Sequence, residues 1–189
     1  MQPPLLRATL RLLAGTVCVG VLILPTSSAA AHSDGAADHG SRTVRHDVTY
    51  IAMLVPHHRS AVDMAAIARQ RATNPEVRRL AAHIADEQTK QIRQMQEWLD
   101  RRDAQPNPPP APVREMEQQD LQMLREAQGA QVDQMFLMMM RPHHAQAVSE
   151  SEDEIENGRN SFAVGLARTT KADQAREISQ MNELLSDLM

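Results

Sequence analysis

The 189 residues carry a net charge of −4, a 42% apolar content and a single cysteine, a balance that suits one ordinary domain. The mild acidity leaves no basic footprint for nucleic acid, and a lone Cys18 makes no disulfide within the chain. Four aromatic residues stand beside twelve Met, and a core of Ala, Leu, Ile and Met suits close helix packing rather than a sheet.

At the N-terminus, Arg7 and Arg11 flank the start of an apolar run, Leu12 to Leu24. Pro25 and the small residues Ser27-Ser28-Ala29-Ala30-Ala31 follow. The pattern predicts a secretory signal peptide over residues 1–31, hence a secreted, periplasmic or cell-envelope protein. The run is short for a membrane span, and nothing later in the sequence qualifies; an uncleaved anchor is the alternative. Cys18 lacks the small residues that precede a lipidated cysteine. Cleavage removes Arg7 and Arg11 and no acid, taking the charge from −4 to −6. The remainder has no cysteine, so any metal must be held by His, Met and carboxylate ligands. Residues 32–45 are polar and Gly/Ala-rich and are expected to form a flexible arm. Within it, His32 would lie at or near a new N-terminus, where amine, amides and imidazole chelate Cu(II); the alternative is a plain polar spacer.

Residues 46–189 predict a helical domain with an internal repeat. Shifted by 86 positions, residues 47–98 align with 133–184 without a gap, and 15 of 52 positions are identical. Asp47 meets Asp133, Tyr50 meets Phe136, and Met53 meets Met139. Pro56-His57-His58 meets Pro142-His143-His144. Gln88, Ile92 and Met95 meet Gln174, Ile178 and Met181. Each unit reads as two helices. The first runs from about Asp47, a plausible N-cap, to Arg71. Asn74 then caps the second, with Pro75 in its first turn. Val77, Leu80, Ala81, Ile84, Gln88, Ile92, Met95 and Leu99 line one face of that second helix. A Pro-rich loop, 105–112, and a lead-in helix from Val113 to Gln128 precede the second unit. That unit predicts helices from about Gln131 to Glu156 and from Asn160 to Leu188, broken at Asn157-Gly158. The expected fold is all-α, a four-helix bundle from two duplicated hairpins. The apolar end, Leu184 to Met189, serves either the core or a homodimer seam.

At about 100° per residue, Met53, His57 and Met64 share one helical stripe, on the face that Tyr50, Leu54, Ala61 and Ala68 bury, with His58 on its flank. Pro56 and Pro142 each lack an N–H and disturb their helices just before two imidazoles. Thioether and imidazole without thiolate suit Cu(I), and the imidazoles also hold Cu(II). In an oxidising compartment these ligands outlast free Cys. The candidate ligands are Met53, His57, His58 and Met64, with Met139, Met140, His143, His144 and Glu150 in the second unit. Met95, Met181 and His32 are possible additions. The competing explanation is that Met fills the core and the histidines are structural. Met138, Met139 and Met140 are consecutive, so they do not all face one site.

These motifs resemble the family called domain of unknown function 305. Its marks are a Met-x-Pro-His-His-x-x-Ala-x-x-Met segment and, downstream, Gln-x-x-Glu-Ile-x-x-Met. Here they stand as Met53 to Met64 and Gln88 to Met95, and the downstream mark stands again as Gln174 to Met181. The likeness covers about residues 46–188. It implies a ferritin-like helical bundle, secreted or periplasmic, linked with copper handling, and it implies no reaction. Three departures stand out. Two residues, Leu54-Val55, separate Met53 from Pro56. Gln91 replaces Glu. Glu150 replaces the Met expected opposite Met64, which points to a harder, weaker or lost second site. Glu150 and Glu154, one turn apart, either face His143 and attract cations or belong to a solvated helix end.

The leading function is thus a non-enzymatic metal-binding protein, for copper as Cu(I) or Cu(II), in resistance, storage or delivery. The alternatives are a metal-free helical interaction bundle and a ferritin-like metal oxidase. Against the oxidase, no histidine has Glu three residues before it, the spacing of di-iron bundles. No nucleophile motif or phosphate loop is present, and no organic cofactor is expected.

Overall fold

The computed structural model describes residues 34–188, with side chains from residue 45 to residue 188. The signal segment and His32 lie outside the described residues. Five helices follow in order: α1 (Asp34–Arg71), α2 (Pro75–Asp100), α3 (Ala111–Glu126), α4 (Ala130–Asn157) and α5 (Ser161–Asp187). The described residues contain no strand, and no helix among them is long and apolar enough to cross a membrane.

The turns between paired helices are built as the repeat predicts. Asn74 Oδ1 accepts from Glu76 N at 2.8 Å, with Pro75 in the first turn of α2. Asn160 Oδ1 accepts from Phe162 N and Ala163 N at the start of α5. Each cap answers backbone donors that have no partner inside the helix. α1 packs along α2 and α4 along α5, and the two hairpins meet mainly through α1 and α4.

One expectation is corrected: the helix starts not at Asp47 but at Asp34, so α1 continues back through residues 34–45. Once a helix is nucleated, each further residue adds a backbone hydrogen bond. Asp47 is consequently no N-cap of its own helix. It is buried within α1, and its Oδ1 accepts from Arg159 N (2.9 Å) and Asn160 N (3.0 Å), at the start of α5. Its repeat mate Asp133, on α4, does the same for α2. Asp133 accepts from Thr73 N (3.1 Å) and Asn74 N (3.0 Å), and from the Thr73 hydroxyl. Each hairpin therefore caps the other, a charge-assisted bond at a positive helix end. Asp47 within α1 thus meets the end of α4, and Asp133 near the start of α4 meets the end of α1, so the two run antiparallel.

The core has two apolar clusters. One holds Met64, Ala68, Leu80, Ile84, Leu124, Phe136, Met140 and Met181 among others. The other holds Tyr50, Leu54, Val55, Met95, Trp98, Leu99 and Ala167. Along both α1 and α4, the histidine pairs fall between them. Ile92 is only partly buried, while the rest of the face expected for α2 is buried.

Helix α3 is an outer addition with one fully buried side chain, Leu124. Its C-terminal end is held by Arg71, whose guanidinium donates to the carbonyls of Leu124, Arg125 and Ala127. The linker before it is fixed by proline chemistry. Pro56 has no N–H to give Ala52 O, four residues back. That carbonyl instead accepts from Asn107 N at 2.8 Å, tying the Pro-rich linker to α1.

Candidate metal centre

Four imidazoles cluster where α1 and α4 pack together. His57 and His143, one from each unit, have ring centroids 3.8 Å apart. The His58 ring centroid is 6.2 Å from that of His57, and the His144 centroid is 6.2 Å from that of His143. The matched distances express the repeat in three dimensions. The outer rings are held by side chains from the second helix of each unit. His58 Nε2 meets Gln91 Oε1 at 2.7 Å, and His144 Nε2 meets Glu177 Oε2 at 2.8 Å. Glu177 in turn lies 3.7 Å from the exposed His83.

The remaining ring nitrogens are buried and unpaired: both of His57, both of His143, and Nδ1 of His58 and of His144. Leaving such a group unpaired costs about 1–3 kcal/mol each, so a cluster of them calls for an explanation. Burial holds His57, His58 and His143 neutral. It lowers the pKa of His57 to about 3, helped by His58 and His144. It lowers that of His58 to about 4, with the Gln91 bond opposing the shift. It takes His143 well below the ordinary range, with His57 adding to the effect. Neutral imidazole is the form that ligates metal.

His57 and His143 open onto a cavity of about 400 Å³ between α1, α3, α4 and the linker. Sulfur lines much of it: Met53 and Met64 from α1, Met116 from α3, Met138 and Met139 from α4. Pro56 and Pro142 line it as well, as do the acids Glu117 and Asp120 of α3. Burial raises the pKa of both acids, a Ser60 hydrogen bond opposing this at Glu117. Of the sequence candidates, the structure thus brings Met53, His57, Met64, Met139 and His143 to one space. His58 and His144 are fully buried behind it. Met140, Met95 and Met181 are fully buried in the packed clusters and do not line the cavity. Among the described residues, no three His, Cys, Asp or Glu side chains are arranged to hold a metal ion.

Glu150 lies elsewhere. It lines a second cavity of about 310 Å³ with His46, Tyr50, Met53 and Asp153, and burial raises its pKa against a Gln146 hydrogen bond. Glu150 and Glu154 therefore share surroundings with His46, and Glu154 is no solvated helix end, being 0% exposed. His46 Nε2 lies 3.2 Å from Glu154 Oε2. Burial, then the Asp47 carboxyl beside it, pushes Glu154 up to about 8. Gly158 leaves room for this side chain; a Cβ there would collide with Glu154.

Sequence reasoning missed the contribution of α3, since Met116, Glu117 and Asp120 belong to no repeat. It also missed Gln91 and Glu177 as imidazole partners. Their signal was present: both stand 33 residues after His58 and His144.

Similar proteins share this architecture. A Streptomyces coelicolor protein of the same family, described as secreted, is 29% identical, with a TM-score of 0.69, over 76% of this chain and 93% of its own. CopM in its Cu(I)-bound form is 32% identical, with a TM-score of 0.65, over 75% of this chain and 96% of its own. CopM in its Cu(II)-bound form is 30% identical, with a TM-score of 0.63, over 75% and 97%. No curated protein matches the chain. The family profile described as domain of unknown function (DUF305) matches residues 47–185, and the chain belongs to that family.

Proposed function

We propose that this protein binds copper outside the cytoplasm, for resistance, storage or delivery, without catalysing a reaction. The observation that carries this is the cavity that joins Met53, Met64 and Met139 to His57 and His143, whose ring nitrogens are buried and unpaired. Soft thioethers with neutral imidazoles favour Cu(I), and imidazoles alone accommodate Cu(II). Gln91 and Glu177 would orient His58 and His144, as outer partners orient ligating imidazoles in metal sites. CopM, with Cu(I)- and Cu(II)-bound forms, supports the choice of metal. The signal-like segment 1–31 and the secreted relative support the location.

The test is a thermal melt with Cu(I) buffered by a competing chelator. Binding to the folded state alone stabilises by mass action, about 2.7 kcal/mol at a free ion level of 100 Kd. The wild type should melt higher with Cu(I), and His57→Ala/His143→Ala should lose the increment. An unchanged wild-type Tm would reject copper binding. The burial of all four imidazoles between two apolar clusters would then favour a metal-free bundle with structural histidines.

A further inference from the structure

Among the described residues, three large apolar side chains stand exposed, and all three are methionines: Met116 (56%), Met123 (45%) and Met138 (63%). Single exposed apolar residues need no explanation, but two of these share one place. Met116 from α3 and Met138 from α4 both line the sulfur-rich cavity. Being exposed and lining at once, they stand at its mouth, while Met64 and His57 are buried within. Met123 does not line the cavity.

Two further features make the mouth unlike the rest of the surface. The repeat mate of Met138 is Ala52, which is buried and whose carbonyl is tied to Asn107. The second unit thus places an exposed thioether where the first has a small buried residue beneath the linker. The wall beside Met116 also carries Glu117 and Asp120, so negative charge draws cations toward the sulfur. Thioethers are neutral and soft, and exchange of a monovalent soft ion between them requires no proton release.

We propose that Met116 and Met138 form an outer receiving site for a soft monovalent cation, Cu(I) or Ag(I), which passes from there to Met53, Met64, Met139, His57 and His143. The inference rests on the copper reading above and adds the route by which the ion arrives and leaves. An outer pair of this kind governs rates more than equilibrium, because the ion at rest lies deeper.

The experiment is stopped-flow transfer of Cu(I) between the protein and a chromogenic chelator, in both directions, with equilibrium affinity measured alongside. Met116→Leu/Met138→Leu keeps the apolar volume and removes both sulfurs. Transfer should slow by about tenfold each way with Kd changed less than about twofold. Met123→Leu should match the wild type. Unchanged rates in the double variant would overturn the proposal. So would a Kd weakened as much as the rate, which would make the two methionines part of the resting site. A wild type that takes no Cu(I) would defeat the copper reading itself, an outcome separate from either.

Discussion

His57 and His58 bind fewer protons in the folded chain than in the unfolded one. Their folded pKa values, about 3 and about 4, lie below the free value of 6.5. Their contribution to stability therefore falls as pH drops below about 6.5 and goes on falling toward pH 3–4. Glu154 has the opposite sign. Its folded pKa of about 8 lies above the free value of 4.5, so it binds more protons folded. Its stabilisation is complete below about pH 4.5 and is lost as pH rises toward 8. Glu154→Gln keeps the shape and removes the ionisation. The variant should melt higher than the wild type at pH 8, by roughly 2–4 °C per kcal/mol recovered, and match it at pH 4.5. Equal melting temperatures at pH 8 would show that Glu154 is ionised there without penalty.

At the scale of elements, the prolines within α1 and α4 leave different results. Both helices continue through them, but only at Pro56 does the linker supply the missing donor, Asn107 N, to the freed carbonyl. Pro56→Ala restores an N–H that closes the helical bond to Ala52 O and competes with Asn107. Hydrogen exchange at the Asn107 amide should then quicken about fivefold, as expected for loss of a bond worth about 1 kcal/mol. Unchanged protection would mean that the linker is held by its other contacts. The motif Pro-His-His is thus more than a way to aim two imidazoles, since its first copy also fastens the strap that carries α3 across the cavity.

The whole molecule is held by reciprocity. Asp47 on α1 caps α5, and Asp133 on α4 caps α2. Each carboxylate receives two backbone N–H groups, so Asp→Ala at either position should destabilise by about 2–4 kcal/mol in denaturant unfolding. The two sites lie at opposite ends of long antiparallel helices, so their effects should add to within about 0.5 kcal/mol. A double variant no less stable than either single one would show that the two caps are coupled. The histidine pairs lie between these caps along α1 and α4, where the two hairpins meet.

Helix periodicity, the Asn74 and Asn160 caps and the 86-residue repeat were legible in the sequence because each is a local pattern with a local cause. The shared stripe of Met53, His57 and Met64 was legible for the same reason. The roles of Asp47 and Asp133 were not, because a carboxylate inside a helix reads as a cap of its own chain neighbours until another hairpin arrives beside it. The surroundings of Glu150 and Glu154 depended in the same way on α1 bringing His46 and Asp47 alongside. By itself the sequence determined which helices form and which faces carry sulfur and imidazole, through side-chain spacing on a regular backbone. Only the tertiary structure decided which of those side chains meet. The antiparallel packing of α1 on α4 brings His57 against His143, and burial then keeps their rings neutral.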